Sequence, residues 1–325
     1  MRLNELEYTY AVARIRALET ALLTDSVIDQ LVNCQTYEQC IQLLEEKGWG
    51  TPDGKGDAEM MLKQQEEKAW EVIRDVAPDL SVFDVLSYQK LYHNLKAAVK
   101  AVCTDVRGGN IFYEDAAIPG DEMLKIVENK EFSRLPEHMR HVAQEAYETL
   151  LQTRDGQLCD VIIDRAALDA IYAAGQQAKD DIIRDYAEST MAIADIKIAV
   201  RCAKTGKSLD FMKRAMSPCA SVNINELMKA ALGGTDAVKE YLSGTMYAEG
   251  AAALEVSASA FERWCDNRMM QTMKPQKYQS FSVGPLVAYL FARQNEIKTV
   301  RIILTGKQNG FSDEMLRERV REMYV

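Results

Sequence analysis

Histidine is scarce in this 325-residue chain, which holds only His93, His138 and His141. So little imidazole leaves hardly any material for a Ser-His-Asp or Cys-His arrangement. Cysteine is present but unpatterned. None of the seven (Cys34, Cys40, Cys103, Cys159, Cys202, Cys219, Cys265) forms a C-x-x-C pair, their number is odd, and several sit inside apolar helical patterns. They read as small buried residues of a reducing, cytosolic compartment. Long apolar runs are missing as well. The longest near the C-terminus, Pro285 to Ala292, is far short of the roughly 20 residues that cross a bilayer. Glu5 and Glu7 stand where a signal peptide needs an uninterrupted apolar core. A chain without its own membrane span is expected, held at a membrane only through a partner. Excess positive charge is lacking too, for the formal charge is −10 and the pI near 5.1, which argues against a nucleic-acid binder. Finally, no run of β-branched and aromatic residues alternates with period two, apart from the brief stretch Asn110 to Tyr113. The expected fold is all-α.

What the chain does have is a repeating helix end. Leu95-Lys96-Ala97-Ala98-Val99-Lys100 runs to Thr104, Ile196-Lys197-Ile198-Ala199-Val200-Arg201 to Thr205, and Ile297-Lys298-Thr299-Val300-Arg301 to Thr305, at spacings of 101 between the leading residues. A period that regular predicts three copies of one unit, with boundaries near 1–109, 110–209 and 210–325. Leu95 with Val99, Ile196 with Val200, and Ile297 with Val300 and Leu304 each form one apolar stripe of a helix. Lys96 and Lys100, Lys197 and Arg201, and Lys298 and Arg301 place two cations on a flank of each copy, near the helix C-terminus. Cations there complement the helix dipole, and their repetition at matched positions also makes these six the candidate partner-binding residues. Charge is uneven elsewhere: residues 110–200 hold eighteen acids against nine bases, and residues 284–325 hold seven bases against five acids.

Periodicity predicts helices over Glu7 to Leu23, 58–76, 81–104, 136–154, 161–205, 246–272 and 283–305, with shorter ones between. Thr24-Asp25-Ser26 supplies an N-cap, Thr36 with Gln39 a capping box. Gly48 to Asp57 reads as the clearest loop and Gly108-Gly109 as a helix break. Each long helix is followed by a short acid-capped one: Asp121-Glu122-Met123-Leu124, Asn223 to Met228, and Asp313-Glu314-Met315-Leu316.

Candidate chemistry is thin. Gly206-Lys207-Ser208 ends like a P-loop, but Arg201 stands where the first glycine belongs and a helix precedes it. Its alignment with Thr305-Gly306-Lys307 makes both glycines helix ends. His138, His141 and Glu145 could share a helix face and ligate a metal, though the H-E-x-x-H order is missing; surface histidines are the plainer reading. No catalytic residue, cofactor or metal site is expected.

Residues 284–320, GPLVAYLFARQNEIKTVRIILTGKQNGFSDEMLRERV, resemble the C-terminal signature of the C subunits of bacterial and archaeal V/A-type rotary ATPases. This family includes the d subunit of eukaryotic vacuolar ATPases. Residues 10–49, YAVARIRALETALLTDSVIDQLVNCQTYEQCIQLLEEKGW, resemble its start, and Asn94-Leu95-Lys96 and Asp195-Ile196-Lys197 its internal helices. The first copy departs from the pattern, with His93 before Asn94 in place of an acidic residue. The resemblance implies three helical units in a quasi-threefold funnel that does no catalysis. Such a funnel sits on the cytoplasmic mouth of a membrane proteolipid ring, receives the central shaft, and couples ATP hydrolysis or synthesis to H⁺ or Na⁺ movement. The repetition of Lys96, Lys100, Lys197, Arg201, Lys298 and Arg301 at matched positions, and not the resemblance, suggests that they form a quasi-threefold basic lining that meets acidic groups of the shaft or ring. A freestanding helical scaffold and a His138/His141 metal hydrolase are the alternatives from other classes.

Overall fold

A computed structural model describes residues 3–50, 57–104 and 111–325. Among them there are sixteen α-helices, short 3₁₀ turns and no strand, as the missing period-two alternation requires. Asn110, most of the Gly48–Asp57 loop and the Gly108-Gly109 break lie outside the described residues. Contacts divide the chain into two compact units, residues 1–80, 180–182 and 247–325 in one and residues 81–179 and 183–246 in the other.

The first unit contains α1 (Leu3–Glu19), α2 (Asp25–Asn33), α3 (Tyr37–Glu46) and α4 (Ala58–Val76) from the start of the chain. From its end come α13 (Ala248–Val256), α14 (Ala258–Met273), α15 (Gly284–Gln308) and α16 (Asp313–Arg317). Thr36 caps α3 by accepting from Gln39 N–H, and Gln39 Oε1 reaches back to Gln35 N–H, one residue before the cap. Thr24 caps α2 in the same way. The two ends of the sequence share one core, in which Leu31, Leu44, Trp49 and Leu62 pack with Ile297, Val300, Ile303 and Leu316. α15 is its axis. Every residue from Gly284 to Leu290 is buried, so this helix is covered on all sides in its first two turns, where the stripe pattern predicts one apolar face.

The second unit contains α5 (Asp84–Thr104), α6 (Gly120–Glu128), α7 (Glu137–Thr153), α8 (Gly156–Gln177), most of α9 (Asp181–Thr205), α10 (Leu209–Ala215), α11 (Ile224–Leu232) and α12 (Thr235–Ser243). Leu91, Leu95 and Val99 of α5 form its core with Met123 and Ile126 of α6, Met139 and Ala146 of α7, and Cys159 and Ile163 of α8.

Three expectations about the helices need correction. The predicted helix 161–205 is two helices, α8 and α9, parted at Ala178 to Asp180. Arg184 Nη1 donates to Ala178 O and Lys179 O, satisfying carbonyls that a continuous helix would have bonded itself. The predicted helix 246–272 breaks at Ser257, which ends α13 and caps α14 by accepting from Ala260 N–H. Gly206 does end α9, with φ +63°, but Gly306 lies inside α15, and the left-handed residue after that helix is Gly310, φ +70°. Gly306 is there because Leu316 packs on it: an added Cβ would come within 2.4 Å of Leu316 Cδ2.

Candidate functional site

Five of the six repeated cations are tied into the fold, each carried by the last turns of a long helix. On α5, Lys96 Nζ donates to Asp164 Oδ1 at 2.6 Å and Lys100 Nζ pairs with Asp160 at 2.6 Å, stapling α5 to α8. On α15, Lys298 Nζ meets Asp266 of α14 at 2.6 Å, and Arg321 shares the same carboxylate at 2.8 Å. Burial pushes the Asp266 carboxyl up, but the charges of Lys298 and Arg321 outweigh it and hold it below its ordinary value. Arg301 forks onto Glu59 of α4, Nε to Oε1 at 3.2 Å and Nη2 to Oε2 at 3.1 Å. On α9, Lys197 is half-buried and makes its own contacts. Arg201 is exposed and has no ion-pair partner among the described residues.

These pairs carry a regularity that the cations alone do not show. Glu59 and Asp160, at the starts of α4 and α8, lie 101 positions apart, the period of the helix ends that reach them. Arg301–Glu59 and Lys100–Asp160 are therefore one staple made twice, each joining a long helix to the first two turns of another. Exposed pairs of this kind contribute about 0–1 kcal/mol each, so they position helices more than they stabilise them.

Just before each of the three stripes lies a buried polar residue that the stripe pattern passes over. Asn94, Asp195 and Glu296 immediately precede the stripes, spaced by 101, and are 0%, 0% and 2% exposed. Each hydrogen-bonds backbone outside its own helix. Asn94 accepts from Tyr113 N–H at 2.8 Å and donates to Tyr113 O and Ile118 O at 2.9 and 3.2 Å. Asp195 Oδ1 accepts from Ser217 N–H at 3.2 Å. Glu296 Oε1 accepts from Leu23 N–H, while its Oε2 accepts from Arg293 Nη1 at 2.6 Å. Arg293 also donates to Gln65 and lies over the Trp49 ring, 5.4 Å from its centroid. Burial pushes the Glu296 carboxyl up against the pull of Arg293.

The histidine cluster does not converge. His138 is exposed, as a surface histidine should be, but its Nδ1 lies 2.9 Å from Tyr92 Oη, its ring packs on Tyr88 and Tyr92, and partial burial lowers its pKa. His141 is 93% exposed beside Glu145. The first is held against two tyrosines and the second stands in solvent, and no set of three His, Cys, Asp or Glu that could hold a metal exists among the described residues. Lys207, of the P-loop-like fragment, donates to Gln157. Its backbone N–H closes the end of α9 on Cys202 O at 3.2 Å, a helix-ending arrangement.

The ATP synthase (C/AC39) subunit family model matches residues 11–319. The C subunit of the V-type sodium ATPase of Enterococcus hirae is 22% identical, the match covering 98% of this chain and 99% of the relative. The C subunit of the A-type ATP synthase of Methanocaldococcus jannaschii is 24% identical over 95% and 85%, and that of Methanothermobacter thermautotrophicus 23% over 97% and 88%. With a helical architecture and a family match that spans nearly its whole length, the chain belongs to the ATP synthase (C/AC39) subunit family, non-catalytic subunits of rotary ATPase complexes.

Proposed function

We propose that this protein is the central-stalk subunit through which a central shaft is coupled to a membrane proteolipid ring, in an ATPase or ATP synthase that moves H⁺ or Na⁺. The observation that carries this reading is colinearity: the Enterococcus hirae relative matches from end to end, with nothing large added or lost. That relative is named for a sodium ATPase and others for an ATP synthase, so the proposal spans both ions and both directions. Work of this kind asks a protein for stiffness and fit, and the ion-pair staples and buried backbone ties supply both. The chain would act on the cytoplasmic side, peripheral to the membrane through its complex; among the described residues no helix is long and apolar enough to cross a bilayer. We further propose that the 101-residue period divides the chain into three related units, 1–109, 110–209 and 210–325. The staples support this division, since equivalent acids and cations recur across it.

The test is affinity capture of the tagged protein from detergent-solubilised membranes of its own host, with the retained proteins identified by mass. Recovery of a proteolipid ring together with shaft and ATP-hydrolysing subunits is expected. Recovery of the protein alone, from cells shown to make the ATPase, would overturn the proposal.

A further inference from the structure

The three buried residues Asn94, Asp195 and Glu296 perform one task with three chemistries. Each ties down a segment that leads into a short helix: Tyr113 to Ile118 before α6, Ser217 to Val222 before α11, and Leu23 before α2. The first tie is an amide, neutral at every physiological pH. The third is a carboxylate whose charge Arg293 balances directly. The second is a carboxyl with neither advantage. Its Oδ2 is buried without a hydrogen-bond partner among the described residues, whereas an ionised carboxylate has about four acceptor positions to fill. The charged and titratable groups acting on it are Arg165 and Asp169 of α8 and Cys219 of the tied segment. Arg165 is shared, lying 3.5 Å from Asp169. Asp169 itself accepts from Ser217 Oγ, so a second negative group already sits on the residue that Asp195 holds.

We propose that Asp195 is a proton-controlled latch: protonated, it holds the segment at Ser217 against α9 as Asn94 holds its segment against α5, and ionised, it releases that segment. Loss of the proton puts an unbalanced charge in a dry site next to Asp169, and the relief available is for Ser217 to move out and water to enter. Burial is the largest influence on this carboxyl and pushes it up to about 7; Asp169 adds to the push, while Ser217 N–H and Arg165 oppose it. Release falls in the physiological range for that reason. It would be local, because Glu188 grips the same segment further on, accepting from Ser221 N–H and Oγ at 2.7 and 2.6 Å and from Ala220 N–H at 3.2 Å. Burial pushes the Glu188 carboxyl up, but these donors outweigh it and keep it below its ordinary value, so that grip stays closed while Asp195 titrates. The inference rests on the repeat and the site geometry, and holds whatever the protein's partners are.

Hydrogen exchange of the full-length protein, followed by mass spectrometry at pH 6 and pH 8 and corrected for the intrinsic pH dependence of exchange, tests it. Protection of residues 216–219 should fall about tenfold at pH 8, the ionised excess expected one unit above the midpoint. Residues 111–118, tied by Asn94, should keep theirs, and Asp195→Asn should abolish the fall at 216–219. No fall in the unaltered protein, an equal fall at 111–118, or an undiminished fall in Asp195→Asn would each overturn the latch. If Asp195→Asn does not fold, the comparison of the two segments within the unaltered protein decides alone.

Discussion

Replacing a carboxylate by its amide has opposite expected effects at Asp195 and Glu296, although the two occupy matching positions. At Glu296 the amide leaves Arg293 buried, 8% exposed, with its counter-charge gone. Breaking a buried pair from one side costs about 3–5 kcal/mol, so Glu296→Gln should lower the urea midpoint sharply. At Asp195 the sign reverses above neutral pH. The folded carboxyl is pushed up from 3.8 to about 7. The folded protein therefore keeps a proton that the unfolded chain has already given up between those values. Stability from this group is highest at the acid end of that window, declines as pH rises through it, and is fully lost above 7. Asp195→Asn removes the titration, so the variant should be more stable than the unaltered protein at pH 8, by on the order of 2 kcal/mol. It should also lose less stability between pH 5 and pH 8. Urea midpoints at the two pH values check both signs. A drop in midpoint at pH 8 for Asp195→Asn would mean that the ionised form is well solvated.

Helices existed where periodicity placed them, but their breaks were legible only where the chain marks them with proline, glycine or, as at Thr24 and Thr36, a capping residue. The α8–α9 break at Ala178-Lys179-Asp180 carries neither proline nor glycine, and its signal, Arg184 turned back onto two carbonyls, becomes visible only in three dimensions. Ser257 lay within a run of small and apolar residues that reads as helix, and its capping of α14 shows only in the structure. Glycines inside helices were legible as residues but not as contacts. Gly175 of α8 is one: an added Cβ would approach Ala187 Cβ to 2.2 Å, whereas at Gly156, in the first turn of the same helix, it would meet nothing within 4 Å. Gly175→Ala should therefore force α8 from α9 and cost about 1–3 kcal/mol. Gly156→Ala should be neutral or stabilise by about 0.4–1 kcal/mol, by restricting the unfolded chain. Paired denaturation curves separate the two; equal effects would show that the close approach at Gly175 relaxes freely.

Across the whole molecule the period of 101 was legible in stripes and cations because those residues recur in one local pattern. The acids that answer them were not. Asp164, Asp160, Asp266 and Glu59 belong to other helices, up to 242 positions away, and a pattern read along one helix cannot join them. The fold uses five of the six cations internally, which changes how the repeated basic set should be tested. Reversing all six would cut the staples of α5 to α8 and of α15 to α4 and α14 along with any partner contact, so a loss of binding would carry no single meaning. Arg201 separates the two effects, being exposed, on the same repeat position as Lys100, and outside any described ion pair. If the repeated cations face acidic groups of a shaft or ring, Arg201→Glu should weaken recapture of a complex stripped of this protein by about fivefold at low salt. That is the size of one exposed charge contact near 1 kcal/mol. Raising salt should close the gap between variant and unaltered protein, since screening acts on exposed pairs, and the unfolding midpoint should not move. Lys100→Glu, which breaks a staple, should instead shift the midpoint slightly. Equal recapture of Arg201→Glu and the unaltered protein at low salt would remove this position from the partner surface and leave the repeated cations as parts of the scaffold alone.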